Sequence, residues 1–409
     1  MTNPAANPLS LSNLLRPEVR ADPYPFYRTL RTEDPVHWDE ALGFWVLTRY
    51  ADVARAFQDP RFSRAQGLMA GFHRLPAAEQ QIAEPVYHAF SQAMPYADPP
   101  YHTRLRGLVN KSFTPRVVER MRPVIQRVIN DLLDSAAAMG GMDVIPDLAY
   151  PLPIIVIAEL LGLPVEDRQR FKTWSADAFA VLGVVRHSPD LMASAARSMA
   201  EMSDYILALS HERRLRPQED LLTALATVAE AGDRLTHGEL VANVSILLAA
   251  GHETTSNVIG NGLLALLCHP DQLQRLRDNP ALAESAVNEV MRYDNAVQVV
   301  YRSTVDEVDF GDRRIGPGQL VNMVVGAANR DPERFSSPDV FDITRDEGKH
   351  VGFGLGIHFC IGAPLARLEI QMAFTSLLQR FPNLRLAAET LEWQAHPTFR
   401  GLRSLPVAL

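Results

Sequence analysis

From Leu240 to Cys268 the chain stays apolar nearly all round the helical period, and this run constrains the fold more than any other stretch. Thr236-His237-Gly238-Glu239 ahead of it has the capping-box arrangement, and Pro270 stops it. About thirty residues make a rod of roughly 45 Å, long enough to cross a whole domain. A helix that is apolar on most sides must be buried on most sides. In its middle, Ala250-Gly251-His252-Glu253-Thr254-Thr255 puts a carboxylate, two hydroxyls and a glycine among greasy residues. Burying a carboxylate is costly, so Glu253 either faces solvent or has a partner, a proton or a task. His252-Glu253-Thr254-Thr255-Ser256 begins like a zinc-protease helix, but Ser256 stands where the second histidine must be, which excludes that metal site.

Helical patterns dominate elsewhere, and everything from about Pro115 to Arg292 reads as helix broken by short loops. Val36-His37-Trp38 and Phe44-Trp45-Val46-Leu47 read as a hairpin, and Val305 to Val325 as a second sheet region with turns at Gly311-Asp312 and Pro317-Gly318. The expected fold is mainly α with small peripheral β-sheets. The 409 residues are 47% hydrophobic and 22% charged, ample for a sizeable core, and no linker, charge block or repeat divides them. Residues 1–409 therefore read as a single domain. Met1 to Arg20 has no apolar h-region, and no uninterrupted apolar run approaches the roughly 18 residues that span a bilayer. Two cysteines provide no disulfide framework, so a cytoplasmic protein is expected. A net charge of -8 argues against a nucleic-acid partner.

One of those cysteines lies in the glycine-rich segment Phe353-Gly354-Leu355-Gly356-Ile357-His358-Phe359-Cys360-Ile361-Gly362. Leu365, Leu368 and Met372 follow at helical spacing, which sets Cys360 just before a helix N-terminus. Unpaired N–H groups and the helix dipole there favour a thiolate and are expected to lower the cysteine pKa. Gly354, Gly356 and Gly362 let the backbone approach something flat or adopt positive φ. A dinucleotide-binding turn fails on spacing, because Ile357 or Phe359 occupies the place of the third glycine. A zinc site would need further cysteines or paired histidines, and Cys268 lies in an apolar helical run. Cys360 is then a ligand, a nucleophile or a small buried hydrophobe.

This segment resembles the cysteine-ligand loop of the cytochrome P-450 family, the haem-thiolate monooxygenases, whose pattern F-G-x-G-x-H/R-x-C-x-G is matched at every fixed position. The resemblance implies haem b as cofactor and Cys360 as the metal ligand, with Phe353 and Gly362 in the haem-binding loop. Ala250-Gly251-His252-Glu253-Thr254 is similar to the family's A/G-G-x-E/D-T, which places Ala250 and Gly251 against the haem and makes Thr254 and Glu253 the catalytic pair. Gly251 would let the helix approach the haem face, and the Thr254 hydroxyl can bond a preceding carbonyl and loosen the helical ladder. The resemblance assigns hydrogen bonding during oxygen activation to Thr254 and proton relay to Glu253. Keeping both favours O2 over hydrogen peroxide as the oxidant.

Asp98-Pro99-Pro100-Tyr101-His102-Thr103-Arg104-Leu105-Arg106 matches D-P-P-x-H-x-x-x-R. By the same carry-over His102, Arg106, Arg302 and His358 hold the haem propionates. Glu289 and Arg292 match E-x-x-R and pair with Arg345 in a buried structural cluster. By position, Ile246, Ala249, Val297, Val299 and Phe399 should line the substrate pocket, with side chains from a Met69–Met94 loop and the 171–185 helix region. Their apolar character implies an apolar organic substrate, with hydroxylation or epoxidation by one atom of O2. No flavin or nicotinamide motif is present, so electrons should come from a ferredoxin or flavodoxin with its NAD(P)H reductase. Arg104, Lys111, Arg116 and Lys349 are candidates for a basic docking face. A peroxide-driven peroxygenase, an oxidative coupling enzyme and a non-catalytic haem sensor or carrier are the competing functions.

Overall fold

Thr236 Oγ1 accepts the Glu239 N–H at 3.2 Å while the Glu239 carboxylate accepts the Thr236 N–H at 2.9 Å, closing the capping box at the head of a helix that runs His237–Cys268. The structure is a computed structural model and describes residues 7–180, 189–230, 233–396 and 398–409. The central helix has 32 residues, most of them buried, and ends before Pro270 as its apolar pattern requires. Against it lie the helices Pro151–Leu161, Arg168–Ala180, Ala283–Tyr293 and Ala363–Arg380. Pro151–Leu161 is itself buried almost all round, so two apolar rods pack together and bury each other's surface. Among the described residues, no helix is long and apolar enough to cross a membrane.

The sheets stand at the periphery of this helical body. Val36–Asp39 and Phe44–Leu47 form the expected antiparallel hairpin. Leu320–Val324 pairs parallel with Phe44–Leu47 and antiparallel with Val299–Thr304, and Phe62–Ser63 closes the other edge, so the two β regions of the sequence share one five-stranded sheet. Val299–Thr304 precedes the stretch expected to be strand, and Arg302 within it is buried. Val308–Phe310 and Arg313–Ile315 form a separate hairpin around Gly311. The helical stretch after Pro115 is interrupted by Met142–Asp143, which joins the C-terminal strands Pro406–Ala408 and Arg385–Leu386, and by the short hairpin Ala229–Glu230 with Asp233–Arg234.

The segment expected as a Met69–Met94 loop is helical instead. Arg64–His73 and Ala77–Ser91 are helices, and a 3-10 turn follows at Met94–Tyr96. Ser63 caps the first through its hydroxyl, which accepts the Gln66 N–H at 2.9 Å.

Candidate active site

The Cys360 loop turns back on itself before its helix begins. Gly354 and Gly356 sit at φ +70° and +69°, where a side chain would be strained, whereas Gly362 has an ordinary helical φ of -79° and serves as N-cap. The Cys360 N–H donates to the Phe353 carbonyl at 3.0 Å, which fixes the thiol at the mouth of the helix Ala363–Arg380. Cys360 opens onto a cavity of about 310 Å³, and Phe353 and Gly362 line the same wall. The Gly362 and Ala363 N–H groups, with the charges of Arg106 and Arg367, act to lower the thiol pKa as the sequence suggests. Burial acts the other way and wins, so the thiol is raised, a correction to the expected shift. Removing a thiolate from water costs more than one helix end returns.

Across the cavity runs the central helix, presenting Ile246, Ala250, Gly251 and Thr254. Thr254 Oγ1 donates to the Ala250 carbonyl at 2.9 Å, and Thr255 and Ser256 repeat the pattern on Gly251 and His252 at 3.1 and 2.7 Å. Three consecutive hydroxyls thus share the carbonyls of one turn. A Cβ on Gly251 would lie 3.1 Å from Ile157 Cγ1, so its missing side chain admits the helix Pro151–Leu161. Glu253 lies outside the cavity lining, and its Oε2 is buried without a hydrogen-bond partner. Burial pushes its pKa up to about 7. His252 beside it donates its Nδ1–H to the Leu248 carbonyl (3.1 Å), meets the Tyr150 ring edge-on at 5.7 Å, and is held down to about 4 by burial, which keeps it neutral.

Five cationic or potentially cationic side chains converge on the cavity: Arg64, His102, Arg106, Arg302 and His358. The His102 and His358 rings are 4.3 Å apart, and His102 Nε2 is buried without a partner. His358 is driven down to about 2 by burial and then by Arg302, His102, Arg64 and Arg106. Arg302, 3% exposed, is lowered by burial and by Arg64. A thiol ligand on one wall, apolar side chains on another and a concentration of unneutralised cations suit a flat, apolar, metal-bearing group with carboxylate substituents. Arg64 was not singled out by sequence, since one arginine after Phe62-Ser63 matches no pattern. Glu369 was missed too. It lines the cavity, 1% exposed with Oε2 unpartnered, and burial holds it well above the carboxylate range. Its place four residues after Leu365 and three before Met372, on a buried helical face, was the available signal.

Not every expected pocket residue reaches the cavity. Ile246 and Val297 line it; Ala249, Val299 and Phe399 do not. Ala249 is one helical step from Ala250 and turns into the core. Val299 and Val300 alternate along their strand, so Val300 and Arg302 face the cavity while Val299 packs in the cluster with Tyr27, Leu320 and Val324. Phe399 pairs its backbone with Val297 but sets its ring 4.9 Å from that of His396, tilted by 42°, beside a separate small pocket. Met94 and Pro95 come from the 3-10 turn Met94–Tyr96, and no described residue from 171 to 177 lines the cavity; the side chains of 178–180 and residues 181–185 lie outside what the structure describes.

Away from the cavity, Glu289 and Arg292 meet through two bonds of 2.7 and 2.8 Å, and Arg345 joins Glu289 at 3.3 Å. Arg292 also donates to the carbonyls of Asn329, Pro338 and Val340, stitching the helix to the segment before the cysteine loop. Arg104, expected on a docking face, is instead bound to Asp233 at 3.0 Å and to Glu239, because the capping carboxylate at the central helix draws it inward.

A cavity with a cysteine in its lining and a long central helix across it fits the class of thiolate-ligated haem enzymes. A family profile described as Cytochrome P450 matches residues 78–390. Cytochrome P450 107B1 of Saccharopolyspora erythraea is 47% identical over 90% of this chain and 89% of its own length. Cytochrome P450 monooxygenase PikC of Streptomyces venezuelae is 43% identical over 98% of this chain and 95% of its own. Among solved structures, P450BioI in complex with hexadec-9Z-enoic acid ligated acyl carrier protein superposes with a TM-score of 0.88 at 37% identity, covering 96% of this chain and 99% of that one. The chain belongs to the cytochrome P450 family. It is a haem-thiolate monooxygenase that binds haem b, acts on a small organic molecule with O2, and takes electrons from a redox partner.

Proposed function

We propose that residues 1–409 act as one monooxygenase domain in the cytoplasm, hydroxylating an apolar molecule with Thr254 and Glu253 managing the protons and Cys360 ligating the iron. The observation that carries this is the division of labour on one helical turn: Thr254 on the cavity wall, Glu253 behind it with a buried, unpartnered oxygen. Overall, substrate, O2, two electrons and two protons give the hydroxylated product and water. The haem, when bound, supplies the redox centre for O2. The protons are the protein's responsibility.

Glu253, poised at about 7, holds a proton on its carboxyl near neutrality and gives it up at little cost, which is where a general acid works best. Thr254 keeps a hydroxyl at the wall, anchored on the Ala250 carbonyl, so a proton passes from the helix's far side to the cavity without opening the site to bulk water. His102, Arg106, Arg302 and His358 receive the propionates, and Ala250, Gly251, Phe353 and Gly362 form the walls around the ring. Ile246, Val297 and Val300 present an apolar surface to the substrate. Electrons come from a ferredoxin or flavodoxin fed by an NAD(P)H reductase, docking near the exposed Arg116 and Lys349.

Thr254→Ala tests the reading in the reconstituted holoenzyme. NAD(P)H oxidation should continue while product formed per NAD(P)H falls by about tenfold or more, a loss within reach of a missing proton-transfer group. Unchanged coupling would remove Thr254 from the mechanism.

A further inference from the structure

Arg64 is the first residue of the helix Arg64–His73 and belongs to none of the motifs that single out the other cavity cations. Its guanidinium is clasped between the rings of Tyr96 and Tyr301, 4.6 and 4.8 Å from their centroids. Nε donates to the Pro95 carbonyl at 3.2 Å and Nη1 to the Tyr301 carbonyl at 3.0 Å. That same Tyr301 oxygen accepts Arg302 Nη1 at 3.3 Å, so two guanidinium groups are drawn to one acceptor. Like charges this close, one of them 3% exposed, repel strongly unless an anion sits with them. Asp98 acts on Arg302 through space, but its carboxylate is taken by the Ser63 hydroxyl and the backbone N–H groups of Arg64 and Ala65. Both arginines line the cavity, as do the buried His102, with its unpartnered Nε2, and His358.

We infer that Arg64 and Arg302 form a two-guanidinium carboxylate site and that its occupant is a haem propionate, with Arg64 as the member that no motif assigns. This rests on the haem seat proposed above. The aromatic clasp fixes Arg64 in place before the carboxylate arrives, so little side-chain entropy is lost on binding. A substrate carboxylate offers the same chemistry. The propionate is favoured because Arg302, His102 and His358 gather on the same wall, where a ring substituent and not a mobile substrate would hold them together.

The test is haem transfer from the holoenzyme to excess apomyoglobin, for wild type, Arg64→Met, Arg64→Lys and Arg302→Met. Each is loaded either with native haem or with haem dimethyl ester, whose propionates carry no charge. Arg64→Met, which retains a long side chain between the two rings, should lose native haem about tenfold faster than wild type, with Arg64→Lys restoring most of the difference. With the dimethyl ester, wild type and Arg64→Met should release haem at the same rate. Equal acceleration for both haems would mean that Arg64 only supports the fold, and the inference would fall. If Arg302→Met accelerates loss and Arg64→Met does not, the seat stands and Arg64 is not part of it; if neither accelerates, the seat itself is wrong. If Arg64→Met leaves haem loss unchanged but weakens the spin-state response to a long-chain acid and not to the matching alcohol, the carboxylate arrives with substrate and the propionate assignment is overturned.

Discussion

Replacing Glu253 by Gln should make the protein more stable as the pH rises, while damaging catalysis. In the folded chain its carboxyl titrates at about 7, against 4.5 ordinarily, and the cause is burial. Below pH 4.5 the group is neutral whether the chain is folded or not, and it contributes nothing. Between 4.5 and 7 the unfolded chain releases the proton and the folded chain keeps it, so stability falls with rising pH and the loss is complete above the folded value. That gap corresponds to about 3 kcal/mol at most, and partial contact with water reduces the expectation to about 1–3 kcal/mol. Glutamine, neutral throughout, avoids the loss. Urea unfolding of the holoenzyme and its Glu253→Gln variant from pH 5 to 8.5 should therefore show curves that nearly coincide at the acid end and separate toward the alkaline end, the variant being the more stable. Product per NAD(P)H should drop in the same variant, since an amide releases no proton. A stability difference that stays flat across this range, or one that favours wild type at high pH, would refute the burial argument, and with it the idea that the helix stores a proton at that place.

Arg292→Met leaves Glu289 buried with only Arg345 to neutralise it and removes the three carbonyl contacts, so it should cost about 3–5 kcal/mol in urea unfolding; a loss below about 1 kcal/mol would contradict the structural role. Val300→Phe should change which apolar compounds produce a ferric spin-state shift, and Val299→Leu should lower stability without changing that list; the reverse pattern would show the strand facing the other way. Charge reversal at Arg116 and Lys349 should slow reduction by a ferredoxin and weaken its dependence on ionic strength, whereas rates insensitive to salt in the parent enzyme would place the docking face elsewhere.

The parts of this molecule that could be read from its sequence are those specified by local spacing. The capping box, the length of the central helix and the Phe44–Leu47 hairpin all depend on residues a few positions apart, and each is found where the pattern puts it. The E-x-x-R pair is of the same kind, one helical turn carrying both partners. The errors occur where a single step of register decides which way a side chain points. Val299 for Val300 and Ala249 beside Ala250 are each off by one residue, and one residue turns a side chain to the opposite face of a strand or by about 100° around a helix. Apolar character alone does not distinguish the two sides of a strand that is buried on both.

Charge states were the least legible feature, because they are set by segments far apart in the chain. His102 and His358 meet through their rings, and the neutrality of His358 comes mainly from burial and from Arg302, which sits on a strand between them in sequence. A loop-and-helix argument predicts a lowered thiol pKa at Cys360, and the local groups do act in that direction; it fails because desolvation of the thiol at the cavity outweighs them. Burial raises Glu253 and Glu369 as well, and of these two Glu369 lines the cavity, where a neutral acid and a neutral thiol stand among surplus cations. Such an arrangement is poorly compensated by itself. On the function proposed above, the propionates of a bound haem would supply the anions that Arg64, Arg106 and Arg302 lack, and Cys360 would ligate its metal.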